Sequence, residues 1–259
     1  MRATLWTAAN ANLLYQTTRG AFLAQEKHSA LGMLWHLLNP LLTTAVLYAV
    51  FSNVMHTTTI PHYPLFILLG LIQFNFFAHG TTRAAEGLLA SRSLVLNTTV
   101  PREILMLRSV CLEAMTYLIE AAIVGLFVAV LGGGLSWKAA WFAVVIVAQF
   151  MLTAGVSFAL GSAVVFLPDL TYVWGVATRL LFFLTPIFYS IDMLPQTWLR
   201  TLVHLNPIAG VVALGTRALL GGPPLTAWEL LPVGGEALVV LVIGWRVFQV
   251  LKPHIPEYI

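Results

Sequence analysis

The sequence predicts an all-α membrane protein with six transmembrane helices, and three observations carry that expectation. Hydrophobic residues make up 59% of the chain and charged residues only 9%, with a mean hydropathy of +0.88. In water such a composition would leave a large apolar surface exposed; lipid hides it. Residues 28–82 run for 55 positions without Asp, Glu, Lys or Arg. A spanning helix needs about 20 mostly apolar residues to cross about 30 Å of hydrocarbon, so this stretch holds two crossings and a turn. Further apolar segments follow, separated by glycine and proline at the positions where a helix must end.

In chain order, Leu5 to Phe22 mixes Leu5, Trp6, Leu13, Leu14 and Phe22 with Asn10, Asn12, Gln16 and Arg19, the pattern of a helix lying in the membrane interface. The start lacks the compact apolar core and small-residue cleavage site of a signal peptide, so residues 1–30 are expected to persist as an interfacial segment. Spans are expected at Leu34–Met55, Tyr63–Thr82, Ile104–Leu131, Trp137–Phe166, Tyr172–Tyr189 and Leu230–Val250. Pro61 and Pro64 precede the second, Gly132, Gly133 and Gly134 follow the third, Pro168 follows the fourth and Pro186 falls late in the fifth. The third and fourth exceed a minimal crossing, so they tilt or protrude. No polar block is long enough to fold alone in water, so residues 31–259 are expected to form one integral domain.

With both termini cytoplasmic, Arg2, Arg19, Lys27, Arg83, Arg92, Arg102, Arg108, Arg246 and Lys252 fall inside and Lys138, Arg200 and Arg217 outside, with Arg179 within a span. Lys and Arg in short loops are retained on the cytoplasmic side, which favours this orientation. The net charge of +3 then reflects topology and attraction to anionic lipid heads, and gives no reason to invoke nucleic acid. Two connections are large. Arg83–Glu103, with Arg83, Glu86, Arg92, Arg102 and Glu103 around Leu88, Leu89, Leu94 and Val95, reads as a short amphipathic helix at the inner face and a docking surface. Ser190–Trp228 carries Leu194, Trp198, Leu202 and Leu205 at helical spacing before Asn206 and Pro207, then a second apolar run to Gly221; it reads as two short helices dipping partway into the bilayer.

Catalytic signals are sparse. The glycines at 132–134 are not followed by Lys and Ser or Thr, so no phosphate loop is expected and the chain is not expected to hydrolyse ATP alone. Seven scattered histidines show no HExxH spacing and no cysteine cluster, which argues against a metal site. Cys111 sits in an apolar segment and reads as a small hydrophobe. Charges inside apolar helices weigh more, because placing one at a helix centre costs on the order of 3 kcal/mol. Glu113 and Glu120 lie seven apart, with Tyr117 between them on one face of the third span, where they face a polar pathway or hold an inter-helix contact. Arg179 in the fifth span needs a partner, and Glu113 or Glu120 is the expected one. In the second span Asn75 and His79 share a face, with Gln73 nearby, as helix-to-helix glue or cargo contacts. Aromatics, among them Trp35, Tyr48, Phe188 and Tyr189, suit packing or the lipid interface. They also offer sugar rings flat apolar contact.

These residues resemble those of a known family. SALGMLWHLLNPLL (Ser29–Leu42) resembles the S-x-LG-x-LW-x-x-x-x-P lead-in to the first span of the membrane subunits of type-2 ABC exporters for polysaccharides. SRSLVLNTTVPREIL (Ser91–Leu105) is similar to the cytoplasmic segment ending in (F/V)-P-x-E-(I/L). FLPDL (Phe166–Leu170), LTPIFYSIDMLP (Leu184–Pro195) and LNPIAGVV (Leu205–Val212) follow in the family's order. Where many relatives carry RD before the fifth span, this chain has Pro168 and Asp169. The resemblance implies a homodimer bound to two copies of a separate ATPase that holds ATP and Mg, with no cofactor in this chain. It implies a coupling helix within Arg83–Val100, an N-terminal interfacial helix, re-entrant outward helices in Ser190–Leu220, and a lipid-linked polysaccharide such as O-antigen as cargo in the bacterial inner membrane. A drug or antibiotic efflux permease of the same fold is the nearest rival. A membrane-embedded sugar or acyl transferase would need clustered acidic or histidine residues at the membrane face, which are not found. A secondary transporter is disfavoured by the resemblance and by the lack of a visible internal repeat.

Overall fold

The computed structural model describes residues 7–26, 32, 34–54, 60–90, 100–131, 139–221 and 225–258, and every regular element among them is helical. The helices are α1 (Ala8–Glu26), α2 (Leu34–Val54), α3 (Tyr63–Ala90), α4 (Arg102–Leu131), α5 (Ala140–Ala163), α6 (Leu170–Leu184), α7 (Trp198–Leu205), α8 (Pro207–Leu220), α9 (Ala227–Leu251) and the short α10 (Ile255–Tyr258). Arg92, Leu94, Val95, Gly132–Gly134, Trp137 and Lys138 lie outside the described residues.

Five helices, α2, α3, α4, α5 and α9, are long and apolar enough to cross a membrane. Of the six expected spans the fifth is the one too short to count among them. Helix α6 has 15 residues, about 22 Å at 1.5 Å per residue, and ends at Leu184 where the sequence had suggested Tyr189. The cause is local: a residue before proline is pushed out of the helical region, and Thr185, before Pro186, is extended at φ −101 and ψ 135. The same rule acts at Asn206 before Pro207 (φ −85, ψ 106), and α7 and α8 meet there at 84°. Asn206 turns the break into a joint. Its side chain accepts from Ile208 N at 3.3 Å, capping α8, and donates to Thr185 Oγ1 at 3.1 Å, tying α8 to the end of α6. In α7 the apolar stripe faces away from the bundle, with Trp198 74% and Leu205 73% exposed, and Val203 is the fully buried anchor.

Helix α3 is the centre of the bundle, with α2, α4, α5, α6 and α8 packed around it and Ile67, Leu69, Ile72 and Gln73 wholly enclosed. Inside a bilayer, apolar burial gives helices little reason to associate, so close packing through small residues takes over. A Cβ added at Gly155 on α5 would lie 2.6 Å from Leu241 N and Val240 O on α9, and one at Gly244 would strike Gly155 O. These two backbones touch directly. At Gly70 a Cβ would come to 3.0 Å from Ile187 Cα, so the segment after α6 crosses α3 there. It is pinned by Tyr63 Oη donating to Phe188 O at 2.7 Å.

Candidate functional site

Polar side chains in the bundle converge on two neighbouring cavities. On α3, Asn75, His79 and Arg83 recur every four residues and so share a face. On α4, Glu113, Thr116, Tyr117 and Glu120, spaced three and four apart, also share a face. With Trp35, His36 and Asn39 of α2 they line a cavity of about 310 Å³. A second cavity of about 540 Å³ opens between α3 and α6, lined by Thr178, Arg179, Phe182 and Phe183 and by the same Asn75, His79 and Arg83. Asn75, His79 and Arg83 line both, so the two cavities lie side by side along one face of α3 as a polar crevice.

Its charges are organised about Glu113. The Arg83 guanidinium pairs with the Glu113 carboxylate, whose other oxygen lies 3.9 Å from His79 Nδ1. Arg83 also donates to Gln25 Oε1 of α1 at 3.5 Å. Arg83, expected to stand in the docking connection, is thus an in-bundle residue, because α3 continues as a helix past Thr82 to Ala90. Arg179 pairs with neither glutamate among the described residues. Helix α6 packs on α3, whose Arg83 reaches Glu113 first, while Arg179 lines the second cavity from the other side. Glu120 lines the first cavity and Tyr117 is buried with its ring stacked on Phe76 at 5.0 Å and 6°. The Tyr117 hydroxyl has no hydrogen-bond partner among the described residues.

Trp35 and Tyr48 on α2 are exposed. Phe188 and Tyr189 are buried packing residues: Phe188 stacks on Phe51 at 4.4 Å, and Tyr189 Oη donates to Phe183 O at 3.2 Å. Helix α6 is held by Trp174 Nε1 donating to Thr81 Oγ1 at 2.9 Å. Of the expected docking residues, Glu86 is exposed on the last turns of α3, Arg92 lies outside the described residues, and Arg102 and Glu103 open α4. Glu103 is buried and ion-paired with Lys252. Its carboxylate is thus engaged within the chain, with Lys252 beside it at the same face.

At the opposite end a cavity of about 810 Å³ lies between α8, α9 and the 186–193 segment, lined in part by Phe66, Asp192, Arg200, His204, Arg217 and Glu229. Arg217 binds Glu229 through two parallel bonds of 2.7 and 3.2 Å, and Glu229 also accepts from Thr226 N at 2.9 Å. Sequence reading missed this fork, although Thr226-x-x-Glu229 before an apolar run is a capping-box signature. Among the described residues no group of three or more His, Cys, Asp or Glu is placed to hold a metal ion. What the site offers is a charged, hydrogen-bonding wall inside a membrane bundle, suited to passing or holding a polar group.

The sequence profile of ABC-2 type transporters matches residues 12–215. The chain belongs to that family. It is therefore a multi-pass permease of the ABC-2 type, a family that normally works with an ATPase partner. It is 30% identical over 251 residues to an O-antigen export system permease protein RfbA of Klebsiella pneumoniae, covering 95% of this chain and 94% of the relative. An RfbA of Myxococcus xanthus is 25% identical over 247 residues, with the same coverage. The polysialic acid transport protein KpsM of Escherichia coli is 26% identical over 231 residues, 85% of each chain.

Proposed function

We propose that this ABC-2 permease is the membrane half of an exporter that carries a lipid-linked polysaccharide, an O-antigen or similar polymer, from the cytoplasmic to the outer side of the bacterial inner membrane. Two copies form the conduit, and two copies of a separate ATPase bind ATP and Mg and supply the energy. The observation that carries the reading is the full-length similarity to permeases named for O-antigen export, and the polar crevice around Arg83 and Glu113 gives a hydrophilic cargo groups to meet inside the bilayer. The face holding α1, the start of α4 and the end of α9 is cytoplasmic in this reading, in keeping with its excess of Lys and Arg.

In this mechanism the chain does no covalent chemistry. ATP binding by the partner favours one arrangement of the docked permease over the other, and the difference in affinity sets how far the inward and outward populations shift. The stretch from the exposed Glu86 to residue 100 is the docking connection, α7 and α8 stand near the exit, and the cavity beside Arg217 and Glu229 receives the cargo last. The test is to purify the chain with its co-expressed ATPase, identify co-purified glycolipid by mass spectrometry, and measure ATP-dependent movement of that glycolipid in proteoliposomes. Nucleotide hydrolysis by this chain alone, or uptake without ATP, overturns the reading.

A further inference from the structure

Three contacts on one face of the bundle join parts of the chain far apart in sequence. At the start of α4, the buried Glu103 carboxylate pairs with Lys252, just past α9. The neighbouring Arg102 Nη1 donates to the Lys252 carbonyl at 3.0 Å, so one residue is gripped at both its side chain and its backbone. Beyond Lys252 the chain turns back, with His254 N bonding Leu251 O at 3.0 Å and Glu257 N bonding His254 O at 3.1 Å. Ile255 is fully enclosed, and the Tyr258 ring rests on Phe166 at 4.9 Å. Phe166 belongs to the turn between α5 and α6, where Leu167, Pro168 and Asp169 are exposed.

We propose that residues 252–258 act as a strut that positions the start of α4 against the α5–α6 turn, so that a displacement imposed on one is carried to the other. Lys252, Glu103 and Tyr258 are its positioning residues. Ion pairing alone is a poor reason to bury Glu103, because the cost of desolvating a charge roughly cancels the attraction it gains. What a buried, doubly gripped pair supplies is a fixed register between two elements. Helix α9 adds rigidity through its backbone contact with α5 at Gly155 and Gly244. The strut therefore ties α4 and the start of α6, two of the helices that line the crevice, to α5 and α9, giving a push at the inner face a route to it.

The inference rests on the exporter reading, since it needs an ATPase acting on that face. The experiment uses the full chain assembled with its ATPase in proteoliposomes and measures kcat and KM for ATP per assembled complex, with thermal stability alongside. Lys252→Glu and Glu103→Lys are expected to lower kcat at least about fivefold, the lower bound of ordinary coupling energies, with KM unchanged. Lys252→Arg and the double reversal are expected to recover most of it, and Tyr258→Ala is expected to lower kcat in the same sense without touching a charge. Single reversals that keep wild-type kcat overturn the strut, as does a loss that neither the double reversal nor Lys252→Arg repairs. If the unmutated complex fails to assemble or hydrolyse, the exporter reading itself falls, and the strut with it.

Discussion

Gly155→Ala tests how this bundle is held together in lipid. The added Cβ would stand 2.6 Å from both Val240 O and Leu241 N and 2.7 Å from Leu241 Cα. Comfortable contact needs about 3.4 Å or more, so α5 and α9 must separate by about 0.8 Å. All three obstructing atoms are backbone, and no side chain can rotate away. Overpacking of this kind costs about 1–3 kcal/mol, and the rigid obstruction argues for the upper half of that range. For a chain of this size each kcal/mol lowers the melting temperature by about 2–4 °C, which gives a fall of roughly 5–10 °C. The assay is the thermal loss of the monodisperse peak of detergent-solubilised protein. Gly125→Ala on α4, where an added Cβ meets nothing within 4 Å, is the control and is expected to be neutral or slightly stabilising through better helix propensity. A Gly155→Ala protein melting with the control would refute direct backbone contact as the bond between α5 and α9.

Glu113→Gln and Arg83→Gln are expected to reduce transport in proteoliposomes. Glu113→Gln removes the buried charge and should change the melting temperature little, whereas Arg83→Gln leaves the buried Glu113 carboxylate without its guanidinium and should lower it; reversing both charges together should restore part of the transport lost. Asn206→Ala removes the cap of α8 and its link to Thr185, and is expected to cost about 1–2 kcal/mol, read as a lower melting temperature and faster proteolysis between α7 and α8. Trp174→Phe deletes the bond to Thr81 Oγ1 while keeping the ring contact with Phe77; a loss of about 1 kcal/mol is expected, and Thr81→Val should add nothing further to it. Equal and additive losses from those two substitutions would show that the Trp174–Thr81 bond does not hold α6 in place.

Class and element order were legible because they depend on local quantities. The uncharged run from His28 to Thr82, the breaks at Asn206–Pro207 and before Pro186, and the apolar lengths of α2 to α5 and α9 each follow from residues adjacent in the chain. The candidate site was legible in part. Glu113, Tyr117 and Glu120, and Asn75 with His79, were identified by helical spacing, and they do line one cavity. Their partners were not, because spacing shows which residues share a face and is silent on which helix that face meets. Hence the expectation that Arg179 pairs with Glu113 or Glu120 fails: Arg83, two turns further along α3 from Asn75, holds Glu113.

What the sequence by itself determined was solvent and segmentation: a chain this apolar must lie in lipid, and proline and glycine set where its helices stop. Tertiary structure alone decided that Lys252 meets Glu103 across 149 positions, that Gly155 meets Gly244, and that the Trp198 and Leu205 face points outward. In lipid an apolar side chain is equally at home against a neighbouring helix or an acyl chain, so hydrophobicity carries no instruction about pairing. Only shape and hydrogen bonding between distant segments discriminate, and both exist only once the helices have met.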